Sequence, residues 1–253
     1  MNLIETTHLK TWAASKSAES RFPDMIKKLI CAVIQPEKIR FPSGDAVWVP
    51  GFDGTLVNDE KSRFVPMGTS VWEVGTNSNY KNKANEDYKK RSNKVKESFD
   101  RSEVTFVFVT PLVWANKEDW ITEKRKENIW CDVVVIDGVD LKDWLESAPA
   151  VNLQFAAELG IVPEEGLQTP KQAWQDFSFL TNPPISEELV VIGKEKQEKD
   201  LIGRLSSSPS TFTIRGDSPR EALGFALATL RRVNSEEKKK GFYARTIINA
   251  LII

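Results

Sequence analysis

The chain opens on an amphipathic pattern. Across residues 8–35, Phe22, Met25, Ile26, Leu29, Ile30 and Val33 return every three to four positions, the repeat of one helix face. Pro23 interrupts the pattern and predicts a kink or the start of a second helical half. The period then changes. DAVWV (45–49) predicts a short strand running into the turn-rich PGFDG. TLVND (55–59) and the segment around Phe64 carry weaker strand patterns, and SVWEVG (70–75) a stronger one. KNKANEDYKKRSNKVKESF (81–99) predicts a polar helix whose narrow apolar stripe is Ala84, Tyr88 and Val95. VTFVFVT (104–110) and IWCDVVVID (129–137) are near-continuous apolar runs, expected of strands covered on both faces. NKEDWITEKRKEN (116–128) between them is helical. DLKDWLES (140–147) and VNLQFAAELG (151–160) close the region as helices, the second stopped by Gly160. Helix, three strands, helix, strand, helix, strand, helix is the order of an α/β sandwich.

Three regions follow from this reading: a first domain over 1–160, a proline-rich connector over 161–185, and a second α/β pattern over 186–253. In the connector, Trp174, Phe177, Phe179 and Leu180 call for a packing partner. The second pattern reads as strand ELVVIG, helix 194–206, strand TFTIRGD, helix 219–232 and a last apolar, strand-like run. Ser218 with Glu221 three residues on is a capping box, and Pro219 takes the first helical position. So short a βαβαβ piece has no complete core, so the chain is expected to be a fragment of a longer protein.

Composition narrows the function classes. Of 253 residues, 35 are Lys or Arg and 36 are Asp or Glu, a net charge of −1, so any affinity for nucleic acid must come from a local field. The two cysteines, Cys31 and Cys131, sit among apolar neighbours without a CxxC pair and predict buried thiols in a reducing cytosol. His8, the single histidine, has no nucleophile signature near it, which argues against Ser-His or Cys-His catalysis. No signal-peptide pattern and no run approaching the roughly 20 apolar residues of a membrane span is present. The expectation is a soluble, cytoplasmic protein without a membrane partner.

The chemistry is carried by acids. Metal-assisted hydrolysis of a phosphodiester needs a divalent ion, and magnesium takes a few carboxylates together with waters and substrate oxygens. Asp53 lies in PGFDG, where Gly51 and Gly54 permit a tight turn. Glu73 stands in mid-strand between Trp72 and Val74 and points to the opposite face from both. A glutamate is disfavoured there and costly to bury unpaired. A hairpin across the twenty intervening residues brings Asp53 beside it. The helix that follows has seven basic residues between Lys81 and Lys96 against two acids. Lys83, Asp87, Lys90 and Lys94 share one face of it. Taken singly, Asp53 reads as a turn residue, Glu73 as one half of an ion pair, the basic helix as a solvated face and Glu19 as a surface carboxylate. Together they stand in the order the chemistry needs.

FPDMIKKLI, VPGFDG, SVWEVGT, NKANEDYKKR, FVFVTPLVW and VDLKDWLE resemble PD-(D/E)XK restriction-endonuclease-like, Mrr-related nuclease domains, over roughly residues 8–160. Such domains occur as N-terminal effectors of bacterial anti-phage proteins that continue into an NTPase region. The resemblance implies a mixed-sheet sandwich with helices on both faces. It also implies Mg²⁺-dependent cleavage of double-stranded DNA (with Mn²⁺ as a substitute ion) in restriction or anti-phage defence. The acids map onto Asp53 and Glu73, and Glu19 matches the first-helix acid that some members add to the metal site. The usual E-x-K lysine position holds Gly75, and Lys83 is the replacement, a lysine migrated onto the helix. Lys90, Arg91 and Lys94 are then expected to hold DNA phosphates. Region 186–253 resembles the opening of a P-loop NTPase but lacks G-x-x-x-x-G-K-[ST], so no nucleotide is expected to bind this chain alone. Self-association is expected through the region after residue 186. The alternative to cleavage is a catalytically inactive nuclease fold that binds nucleic acid or protein.

Overall fold

The structure, a computed structural model, describes residues 3–48, 50–93, 99–162, 170–205 and 213–239. The chain divides into two compact units, Met1–Ile161 and Val162–Ile253.

In the first unit, α1 (Thr6–Ala13) and α2 (Ala18–Val33) precede five strands: β1 (Lys38–Arg40), β2 (Gly54–Asn58), β3 (Gly68–Val74), β4 (Val104–Val109) and β5 (Asp132–Ile136). α3 (Tyr80–Ser92) links β3 to β4, α4 (Lys117–Lys126) links β4 to β5, and α5 (Gly138–Ser147) and α6 (Pro149–Glu158) follow. The strands lie side by side in chain order. β1, β2 and β3 are antiparallel neighbours, whereas β3, β4 and β5 run parallel. Parallel neighbours cannot be joined by a tight turn, so the chain crosses over through α3 and α4. These helices cover one sheet face, where Ala84, Tyr88 and Trp120 pack on Val71, Phe106, Phe108 and Val133. On the other face, Trp72 meets Phe41 and Trp144 of α5 with ring centroids 5.7 and 6.5 Å apart. The unit is a five-stranded, mixed, open α/β sheet. Every residue of β4 is buried, as its unbroken apolar run predicts.

Several local expectations are corrected. The long N-terminal helix is two helices, broken at 14–17, where Ser15 and Ser17 bond to each other and Ser20 bonds to the Ser17 carbonyl. Pro23 lies inside α2 without ending it. DAVWV is not a strand. Gly44–Trp48 is a 3-10 turn that follows Gly44 at φ +60°, and the edge position beside β2 goes to Lys38–Arg40. The segment around Phe64 is not a strand either; Phe64 instead stacks on Trp144 at 5.4 Å. Cys131 is exposed and Cys31 half-buried. Both residues 130 and 131 lie ahead of β5, and there Trp130, not Cys131, is buried in the core.

In the second unit, α7 (Pro170–Ser178), α8 (Glu187–Val191), α9 (Glu195–Leu205) and α10 (Pro219–Lys239) surround a core of Trp174, Val190, Val191, Leu201, Phe225 and Leu227. Part of the expected connector is thus a core element: α7 buries Trp174, while Phe179 and Leu180 remain exposed. ELVVIG, read as a strand, is a helix, and among the described residues this unit holds no strand. Helix signals outweigh the β propensity of Leu-Val-Val. The Ser186 hydroxyl accepts from the Leu189 N–H, two acids open the first turn, and Gly193 at φ +75° follows the end. The TFTIRGD strand is likewise not formed at 213–216, and the P-loop-like layout finds no support there. Ser218 caps α10 as expected, accepting from the Glu221 N–H at 3.1 Å. Among the described residues, no helix is long and apolar enough to cross a membrane.

Candidate active site

Strand register assembles the acids. Gly54 pairs with Trp72 at the end of the antiparallel β2–β3 ladder, which leaves Asp53, the residue before β2, close to Glu73, the residue after Trp72. The Asp53 carboxylate is fixed by a bond it accepts from the Val74 N–H at 2.9 Å. Gly54 serves packing more than turning: a Cβ there would lie 2.2 Å from the Phe41 ring.

Glu73 is 2% exposed. It shares the Val71 face of β3, beneath α3, and pairs in register with Phe108 of β4. Burial, and next the negative field of Asp53, push its carboxyl up to about 8 from an ordinary 4.5, against the opposing pull of Arg91. Arg91 donates from Nε to Glu73 Oε1 and from a terminal nitrogen to the Gly51 carbonyl, and its guanidinium lies 4.6 Å from the Phe52 ring centroid.

Arg91 corrects the expectation of a phosphate contact. It is 3% exposed and committed to Glu73, because the helical period turns it inward while Lys89 and Lys90 face out. Lys90 stays on the exposed face of α3 as expected, and Lys94 lies outside the described residues. Glu19 is exposed in the first turn of α2. The leading charges that act on Glu73 are those of Asp53, Arg91 and Asp87.

Lys83 does reach the cluster. Its Nζ donates to Asp87 Oδ1 at 2.8 Å. Burial would lower its pKa, but the bond to Asp87 and the fields of Asp87, Asp53 and Glu73 outweigh burial and raise it, so the ammonium stays charged. Its stem crosses Gly75: a Cβ on Gly75 would meet Lys83 Cγ at 3.1 Å and Phe108 Cζ at 3.0 Å. Gly75, lacking a Cβ, therefore leaves the space that the stem of Lys83 from α3 occupies.

Asp87 is the residue that sequence reasoning left without a role. It is 5% exposed, its pKa is raised, chiefly by burial, and its Oδ2 has no hydrogen-bond partner. Its spacing of four from Lys83 was the available signal.

Asp53, Glu73 and Asp87 thus face two cations, Lys83 and Arg91. Among the described residues, no three acid, histidine or cysteine side chains gather closely enough to cage an ion. Asp53 and Glu73 supply two hard oxygen donors, a set that suits magnesium when water and phosphate complete it. The Asp87 Oδ2 oxygen has no partner, and burial is the first cause of the raised Glu73 carboxyl. Compared with protein-family models, curated proteins and solved structures, the chain shows no significant match.

Proposed function

We propose that the first unit is a Mg²⁺-dependent endonuclease of the PD-(D/E)XK kind, hydrolysing phosphodiester bonds of double-stranded DNA as an effector of restriction or anti-phage defence. The observation that carries this reading is Asp53, held by the Val74 N–H with its charge acting on Glu73, together with Lys83 entering over Gly75. Asp53 and Glu73 would hold the ion, which lowers the pKa of a bound water and neutralises phosphate charge. Lys83 remains an ammonium and stabilises developing charge on the phosphate, since a lysine whose pKa is raised is a poor base. Arg91 orients Glu73 from α3. Lys89 and Lys90, exposed on α3, would supply backbone affinity.

One observation favours a second reading, a nuclease fold that binds DNA without cutting it: the Glu73 carboxylate already carries the Arg91 guanidinium. Supercoiled plasmid incubated with the protein in Mg²⁺, Mn²⁺ or EDTA separates the two. The endonuclease reading expects nicking that EDTA stops and Asp53→Asn abolishes. A shifted but intact plasmid in both metals would sink it in favour of the second.

A further inference from the structure

We propose that Asp87 is a positioning residue that acts through Lys83, holding the ammonium of a helix-borne lysine where a strand-borne one would otherwise stand. The inference rests on the endonuclease reading for its consequence in cleavage, but its geometry stands independently. A lysine on a strand is aimed by the pleat and needs no guide. A lysine on α3 has four rotatable bonds and reaches the cluster only if its stem and its head are both constrained. The stem is constrained by Gly75, above which Cγ lies too close for any Cβ to fit without displacement. The head is constrained by Asp87, one helical turn on, at 2.8 Å.

Asp87 is unlike the solvated partner of an ordinary i,i+4 pair. Its side chain is 7% exposed against 32% for Lys83, so the acid forms a buried post and the lysine reaches in to it. Its second oxygen has no partner, although buried carboxylate oxygens are rarely left bare. The groups that act on this pair come from every side: Asp53 before β2, Glu73 on β3 and Arg91 further along α3. If Asp87 served folding alone, a neutral residue would fit the same pocket at lower cost, because its pKa is raised by burial. What a neutral residue cannot do is fix an ammonium beside two carboxylates.

The test is a double-mutant cycle in plasmid nicking with Mg²⁺ or Mn²⁺, using Asp87→Asn, Lys83→Met and both together in the full chain. Asp87→Asn is expected to lower kcat at least tenfold with little change in KM, and to cost nothing further in the Lys83→Met background. Asp87→Glu, which keeps the carboxylate, should recover part of the loss. Gly75→Ala pushes the lysine stem from the other side without altering charge and should likewise be silent once Lys83 is methionine. Losses that multiply in the double variant would overturn the inference, because Asp87 would then act independently of Lys83. Lysine acylation followed by peptide mass spectrometry gives an arm that does not need cleavage. Lys83 should label more slowly than the exposed Lys81 in the wild type and approach it in Asp87→Asn. Equal labelling in both proteins would overturn the inference even if the protein cuts nothing. Protection lost in Asp87→Asn without nicking by the wild type would overturn the endonuclease reading and leave the positioning role standing. Melting curves for each variant confirm that a folded protein is being compared.

Discussion

Replacing Glu73 by glutamine should change how the stability of this protein depends on pH. Folded Glu73 holds its proton up to about pH 8, because burial and the neighbouring Asp53 charge disfavour the anion. In the unfolded chain the same group ionises near 4.5. Between those values the folded state binds more protons than the unfolded one, so stability falls as pH rises through the window. The interval from 4.5 to about 8, at 1.36 kcal/mol per pH unit, sets a ceiling of about 5 kcal/mol. Relaxation of the pocket reduces the realised difference to on the order of 2 kcal/mol, still large against a total stability of about 5–15 kcal/mol. Glutamine has the shape of the protonated acid and cannot ionise. Urea unfolding of both proteins in EDTA, at pH 5, 6, 7, 8 and 8.5, reads the effect. The wild type should lose stability relative to Glu73→Gln across the series, with the variant the more stable of the two at the alkaline end. Parallel pH profiles would refute the reasoning and mean that Arg91 fully compensates Glu73 in its charged form.

Three further outcomes are expected. Arg91→Met should have little effect on stability near pH 6, where Glu73 can keep its proton, and should cost about 3–5 kcal/mol where Glu73 must ionise beside no partner, read from the same urea series. Gly54→Ala should destabilise the first unit by roughly 1–3 kcal/mol, because its methyl group would enter the Phe41 ring; an unchanged melting temperature would contradict the close approach. Replacing Lys89 and Lys90 together by alanine should weaken binding of unrelated DNA duplexes about equally and reduce the slope of log affinity against log salt by about 0.9 per lost contact; an unaltered slope would place the DNA elsewhere.

The sequence disclosed β4 and β5 because burial on both faces demands apolar runs, Glu73 because a strand acid between apolar residues stands out, and Asp53 because it sits between Gly51 and Gly54. It misassigned DAVWV and ELVVIG for one reason. Short β-branched runs fit a strand, a 3-10 turn or a helical turn, and the decision lay in flanking residues: Gly44 in one case, Ser186 and Gly193 in the other. Arg91 was misplaced because a run of four cations, Lys89-Lys90-Arg91 with Lys94, looks uniformly solvated until the helix is rotated onto its sheet. Only then does one of them turn inward to meet Glu73. Gly75 was read as a missing lysine; the structure makes it the opening that admits one.

The side-by-side order of the five strands has a consequence for how the molecule is made. Each strand pairs with the one synthesised just before it, so the sheet can grow by successive addition at a single advancing edge, with no strand inserted between two already placed. The residues of the acid–base cluster, from Gly51 to Arg91, emerge in one continuous stretch of chain. β2, β3 and α3 therefore precede β4 and β5 in order of emergence. Phe108, which lies alongside Glu73 in register, comes later in the chain than both Asp53 and Arg91. In chain order, the partners of this acid precede the strand that covers it.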